Sequence, residues 1–352
     1  MSDSTENSTG CKPQPINSFI PIFMSFTFFI GFVLNCISLW IFWFKVKPWN
    51  SMVILQFNLA ISDVIITPAA PLIIIYYLKN NWTFGSLLCK FKVFLLSTNM
   101  YGSIYFLTLI SIHRYFTIAH SNKGSALARK TFIKKLCFFI WGCLFCQGIP
   151  FFFVLKTTKV QGITKCLSFH KNEQPSLFFA WNWVILFSGL IIPLSITLVC
   201  YSLLIRYMRK VNPINTFSKV MVSKSVRTIS ISLIIFIICF IPIHITRTLG
   251  VTIMLFFPNL CFLVENVEVA HYFTWMLSET NYCLDPILYC FASRRFKYTF
   301  TSWCTFLQRQ PQKNIAEDSQ GNQLETPSDT HCSGHLASQT THPGSGSAER
   351  GK

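Results

Sequence analysis

This sequence predicts an all-α membrane protein, a seven-transmembrane helix bundle followed by a short amphipathic helix and a disordered tail. The first observation behind that prediction is a set of seven apolar stretches, roughly 18–44, 52–78, 88–117, 133–155, 178–205, 226–256 and 266–291. Each is about 20 residues or longer, the length that crosses a hydrocarbon core of about 30 Å. The second is a charge deficit. Only 12% of the residues are charged, whereas soluble domains carry about 25%. The third is where the charge sits. The cations flank the apolar stretches and form no separate basic domain, so the net charge of +17 does not point to nucleic acid.

Residues 1–17 read as an extracellular N-terminus. They are polar and lack a basic region followed by an apolar core, so no cleavable signal peptide is expected and the first span inserts itself. Asn7 and Asn81 each open a glycosylation sequon, and both fall on the same predicted side. Short connectors join the spans, so residues 18–292 form one helix-bundle domain. Residues 293–304 interleave Arg294, Arg295 and Lys297 with Phe296, Tyr298 and Phe300, the pattern of an amphipathic helix lying on a lipid surface. Residues 305–352 are rich in Ser, Thr, Gly and Gln, cannot bury a core, and are expected to be a disordered cytoplasmic tail.

Orientation follows from the basic residues. Lys45, Lys47, Arg114, Arg129, Lys130, Lys134, Lys135, Arg206, Arg209, Lys210, Arg294 and Arg295 share one side, which is therefore cytoplasmic. The N-terminus is then expected outside, in a multi-pass membrane protein. The outer side still carries Lys79, Lys90, Lys92, Lys156, Lys159, Lys165 and Lys171, enough to steer anions toward it. Of the 14 cysteines, Cys11, Cys89, Cys166 and Cys261 lie on this oxidising side and suggest two disulfides, with three pairings open. Cys304 follows the amphipathic segment and is a candidate for palmitoylation.

Polar residues inside apolar spans carry the functional signal. Phe236 to Arg247 reads FIICFIPIHITR. Pro242 removes a backbone donor and kinks the helix. His244 and Arg247 are three apart and share a face. A cation at membrane depth is expensive and marks a water-filled cavity, here with an appetite for anions. Asp63 and Asp285 are also costly to bury and should face the interior together. Asn99, Ser103 and Asn281 would complete an oxygen-rich pocket suited to a hard cation. The cysteines and histidines show no metal-ligand spacing and no nucleophile motif occurs, so an enzyme is not expected.

The remaining marks fall in register with the spans. Asn35 is in span one, Asn58 to Asp63 (NLAISD) in span two, and Cys89 and His113-Arg114-Tyr115 bracket span three. Trp141 is in span four, Pro193 and Tyr201 in span five, Phe236 to Pro242 in span six, and Asp285-Pro286-Ile287-Leu288-Tyr289 ends span seven. The set, over about residues 18–304, resembles the rhodopsin-like G-protein-coupled receptors, and most closely their purinergic nucleotide branch. Tyr101-Gly102-Ser103-Ile104 in span three and Cys283 to Tyr289 in span seven carry the branch resemblance, with Lys47-Pro48-Trp49-Asn50-Ser51 between spans one and two.

The resemblance implies a heterotrimeric G protein, arrestin and receptor kinases as partners, with membrane lipid around the bundle. The tail's Ser319, Thr326, Ser328, Thr330, Ser333, Ser338, Thr340 and Thr341 would receive phosphate. His113, Arg114 and Tyr115, with Tyr201, Phe236, Phe240, Pro242, Asp285, Pro286 and Tyr289, would carry activation. The family usually has an acid where His113 stands. Asp63, Asn99, Ser103, Asn281 and Asp285 would hold a structural sodium ion, with no other cofactor. Cys89 would pair with Cys166, and Cys11 with Cys261.

The branch takes extracellular anions. His244 and Arg247, with Tyr101, Lys92, Lys165 and Lys171, would form the ligand site, Arg247 gripping phosphate or carboxylate in two-pronged fashion. One departure matters. Nucleotide receptors of this branch usually carry an Arg in span seven where this chain has Trp275, and Glu279 adds a negative charge one turn further in. A nucleotide is the leading ligand, and a lipid mediator or small carboxylate is the alternative. A transporter would show discontinuous repeats, which the sequence lacks.

Overall fold

The computed structural model describes residues 18–119, 129–155, 157–160, 162–166, 175–210, 216–302 and residue 305. Two compact units divide the chain, residues 1–302 and 303–352, and the first holds the bundle. Asn7, Cys11, Lys171, Cys304 and the tail hydroxyls lie outside the described residues.

Five helical segments are long and apolar enough to cross a membrane: Phe19–Lys45, Gly85–Ala119, Lys130–Phe153, Ser176–Lys210 and Lys219–Phe256. They contain α1 (Phe19–Trp40), α4 (Gly85–Ala119), α5 (Lys130–Val154), α6 and α7 (Pro175–Leu186, Ile192–Lys210), and α8 and α9 (Thr216–Ile235, Ile241–Phe256). They supply spans one, three, four, five and six. Span two is α2 (Ser51–Val64) and α3 (Ala70–Lys79), and span seven is α10 (Cys261–Ser278) and α11 (Asn281–Ala292). The sequence predicts single helices there, and the chain breaks both.

Proline explains where the helices change. It lacks an N–H, and its ring collides with the carbonyl four residues back. In span six the ladder slips by one residue just before Pro242, so that Ile241 N–H reaches Phe236 O in a π-helical turn over Phe236–Phe240. The same turn precedes Pro193, at Phe187–Ile191, and a third at Ile41–Lys45 precedes Pro48. Pro68, within residues 65–69, and Pro71, early in α3, accompany the break in span two. Pro286 is handled differently. The Tyr282 carbonyl that it leaves without a helical donor accepts from Asn35 Nδ2 at 2.8 Å, which joins span one to span seven.

Glycine permits close approaches between spans, two of which join spans one and seven and spans two and three. A Cβ on Gly31 would collide with the Tyr282 ring, and one on Gly102 would stand 2.7 Å from Ser62 Cβ. Span three is the central post. Among its described buried residues are Tyr101, Ile104, Phe106, Leu107 and Ile110, while Phe138, Phe139, Phe153, Ile237 and Val199 on other spans are exposed, as a lipid-facing surface requires. At one end of the bundle a hairpin of β1 (Thr157–Val160) and β2 (Ile163–Cys166) is tied to span three by the Cys89–Cys166 disulfide, as expected. Cys261 is also disulfide-bonded; its expected partner, Cys11, is outside the described residues.

At the opposite end, residues 294–302 form a helix, α12. Phe296 is its buried anchor, 4.9 Å from the Phe42 ring and 5.7 Å from Tyr289, while Tyr298 stays exposed. One face of this helix is thus apolar and packed, and the other is open.

Candidate ligand-binding site

Beyond the Pro242 kink, α9 turns Arg247 toward the bundle axis. Its Nε donates to Asn182 Oδ1 on α6 at 2.9 Å, and its Nη1 donates to the Tyr101 hydroxyl on α4 at 2.7 Å. Its Nη2 is buried. Three spans thus fix the guanidinium, and among the described residues Nη2 is left unmatched. Tyr101 passes the chain on. His244 Nδ1 lies 2.7 Å from the Phe240 carbonyl, which can only accept, so Nδ1 carries the proton. Nε2 is then the acceptor, 3.4 Å from the Tyr101 hydroxyl. The order runs from Arg247 through Tyr101 and His244 to a span-six carbonyl.

Arg247 lines a cavity at the disulfide end of the bundle, open on one side, with about 120 Å³ of enclosed space. Lys92 lines it too, buried, with its ammonium 5.0 Å from the Tyr76 ring and 5.2 Å from Trp82. Val93, Leu96, Phe151, Phe178, Ile185 and Ile243 make an apolar wall. Trp275 stacks on Tyr77 at 5.3 Å and 24°, and Glu279 lies one turn further along. Cations at one place and apolar or aromatic walls elsewhere make a cavity that suits an anion with a hydrophobic or planar body.

Of the residues expected at the ligand site, Lys92, Arg247, Trp275 and Glu279 line this cavity. Tyr101 and His244 stand behind it and orient Arg247. Lys165 sits elsewhere: it is buried in the hairpin, donates to Asn80 Oδ1 at 3.1 Å, and stands over the Tyr272 ring at 5.8 Å. Burial lowers its pKa from the ordinary lysine value, and the Glu268 charge opposes that shift. Sequence reasoning missed Asn182, Trp181, His271 and Tyr76. Asn182 had a signal, a lone amide in an apolar span. His271, 3.3 Å from Thr246 Oγ1, had none beyond its position on span seven.

Deeper in the bundle the two carboxylates converge. Asp63 and Asp285 are both fully buried. Ser103 Oγ donates to Asp63 Oδ1 at 3.1 Å, Asn99 Nδ2 to the same oxygen at 3.5 Å, and Asn281 Nδ2 to Ser103 Oγ at 3.1 Å. The cluster draws its members from spans two, three and seven.

Residues 7–289 match the family described as 7 transmembrane receptor (rhodopsin family). The chain belongs to this family of receptors. Among curated relatives, the receptor is 34% identical to purinoceptor 4 of Rattus norvegicus, over 83% of this chain and 81% of the relative. It is 32% identical to purinoceptor 4 of Homo sapiens, over 89% and 88% of the two chains. With purinoceptor 2 of Rattus norvegicus the identity is 34%, over 78% and 74%. It is thus a G-protein-coupled receptor of the purinoceptor type, not an enzyme.

Of the residues that the family resemblance assigned to activation, His113, Arg114, Tyr115, Tyr201 and Tyr289 lie toward the α12 end, whereas Phe236, Phe240 and Pro242 form the span-six kink and Asp285 belongs to the acid cluster. Arg114 Nη2 donates to the Ala292 carbonyl, an orphan acceptor at the end of α11. Its neighbour His113 is buried with Nδ1 unpartnered, and Tyr115 packs beside Tyr201 against the Cys200–Leu204–Val222–Ile229 cluster. Tyr289 is fully buried, its ring 5.2 Å from Phe42, with its hydroxyl unpartnered. Phe236 and Phe240 meet edge to face at 5.7 Å and 83° inside the π-turn. Cys239, in the same turn, lies 3.4 Å from Thr280 Oγ1 at the break in span seven. The hinge of span six therefore touches the break of span seven.

Proposed function

We propose that this receptor sits in the plasma membrane with its N-terminus outside and senses an extracellular anionic small molecule, most specifically a nucleotide, to activate heterotrimeric G proteins. The observation that carries the reading is Arg247. Its side chain lines the cavity, its guanidinium is oriented by Asn182 and Tyr101, and Nη2 is buried and unmatched among the described residues. A buried cation with an unmatched donor is stabilised by an anion, and phosphate oxygens fit its planar geometry. Lys92 adds a second charge in the same cavity, and Trp275 and Tyr77 offer a surface for a base. The purinoceptor relatives support the same ligand class. The apolar wall from Val93 to Ile243 favours a second reading, a lipid mediator with an acidic head.

The acid cluster fits a sodium ion. Asp63 and Asp285 meet side chain to side chain with Ser103 beside both, and hard oxygen acceptors of this kind are what a small cation takes up. The ion would neutralise two carboxylates that otherwise repel at membrane depth and so hold spans two, three and seven together. Arrestin and receptor kinases are further partners of this reading, through the hydroxyl-rich tail.

The test is a calcium and cyclic-AMP screen of nucleotides, dicarboxylates and acidic lipids on cells expressing wild type or Arg247→Ala at matched surface density. A nucleotide response that Arg247→Ala weakens by about 100-fold, the loss of a charged pair of roughly 3 kcal/mol, supports the reading. Equal potency on both receptors removes the anion site. A response to acidic lipid alone replaces the nucleotide with the second reading.

A further inference from the structure

Anion capture leaves one feature of the cavity unused, the Glu279 carboxylate. It is 3% exposed, lines the cavity, and its Oε2 has no hydrogen-bond partner among the described residues. A bare acceptor in so apolar a chamber is unfavourable unless a donor meets it. The basic side chains that line or back the cavity make other contacts, His271 among them, 3.3 Å from Thr246 Oγ1. His244 bonds Phe240 O and faces Tyr101, Lys92 lies over Tyr76 and Trp82, and Arg247 is held by Asn182 and Tyr101.

Position adds a second argument. The Glu279 N–H bonds the Trp275 carbonyl at 3.1 Å, so the two residues are one helical turn apart on one face. A planar group lying against the Trp275 indole would have its inner edge toward Glu279. Depth adds a third. Thr246 Oγ1 meets Thr274 Oγ1 at 2.7 Å, which sets the turn bearing Arg247 level with Thr274. Glu279 is five residues further along span seven, about 8 Å deeper at 1.5 Å per residue.

We propose that Glu279 is a specificity-determining ligand contact, selecting among anions held at Arg247 those that present an amino group to its carboxylate. For a nucleotide this is the exocyclic amine of a base stacked against Trp275. The inference rests on the anion-site reading above and names the ligand class within it.

The test uses the full-length receptor purified into nanodiscs, with ATP and purine riboside 5′-triphosphate, which differ only in that amine. Affinities are read by competition and by thermal stabilisation. Wild type should prefer ATP by about 10-fold or more, the value of matching an acceptor that is otherwise buried and unsatisfied. Glu279→Leu should abolish the preference, while Glu279→Gln, which keeps a carbonyl acceptor and the side-chain shape, should retain part of it. Arg247→Ala should weaken both triphosphates alike and leave their ratio unchanged. Equal affinity of wild type for the two, with Arg247→Ala still damaging, overturns the Glu279 assignment and leaves the anion site standing. Binding of neither triphosphate by wild type removes the nucleotide reading and this inference with it.

Discussion

At the scale of single residues, the order of hydrogen bonds around Arg247 makes its partners as telling as the guanidinium. Tyr101 accepts from Arg247 and donates toward His244, so removing its hydroxyl frees the side chain without removing its charge. Tyr101→Phe should therefore weaken an anionic agonist about 5- to 15-fold, on the order of 1–1.5 kcal/mol for one hydrogen bond, while surface expression stays normal. Concentration–response curves decide this, and unchanged potency would mean that Arg247 needs no guide. In the acid cluster, Asp63→Asn removes one of two buried charges. Agonist affinity in the wild type should fall as sodium replaces an inert cation in the buffer. In Asp63→Asn membranes it should not change, and persistence of the sodium effect there would place the ion elsewhere.

At the scale of elements, prolines and their compensations shape the bundle. Pro242 and Pro193 shift their own ladders into π-turns, whereas Pro286 relies on Asn35 in another span. Asn35→Leu would leave the Tyr282 carbonyl buried and unpaired, a loss of about 1–3 kcal/mol. The purified variant should melt at a lower temperature than wild type. An unchanged melting point would show that water or local rearrangement satisfies that carbonyl. These cross-span repairs explain what the sequence could not reveal. Hydropathy marks apolar length, so it located the seven helical stretches, although α8 begins at Thr216 and α10 at Cys261, ahead of the expected starts at 226 and 266. It carries no information on where a ladder slips, and the breaks at residues 65–69 and at Glu279-Thr280 went unseen. Charges at membrane depth were legible because they are expensive, which is why Arg247, Asp63 and Asp285 stood out. Lys165 was misread for the opposite reason. It lies in a connector, where exposure is the default expectation, yet the hairpin folds over it. His271 is an ordinary polar side chain until span seven is placed around the cavity, whereas Asn182, a lone amide in an apolar span, offered a signal that went unused.

At the scale of the whole molecule, two sites and a hinge lie along one path. The cavity holds Arg247 and Glu279, the acid cluster lies deeper, and the π-turn of span six touches the break of span seven between them through Cys239 and Thr280. Beyond them Arg114 closes on the end of α11. A ligand that draws on Arg247 acts on the segment of span six just past its kink, and an element with two packings is what such a pull can bias. The most direct measurement is nucleotide-stimulated GTP exchange on a purified heterotrimeric G protein, by receptor reconstituted in nanodiscs as wild type, Arg247→Lys and Arg247→Ala. The account predicts stimulation by ATP in wild type, partial loss in Arg247→Lys, where charge remains without the planar fork, and a shift of about 100-fold in Arg247→Ala with basal exchange unchanged. Identical ATP curves for the three receptors would contradict it.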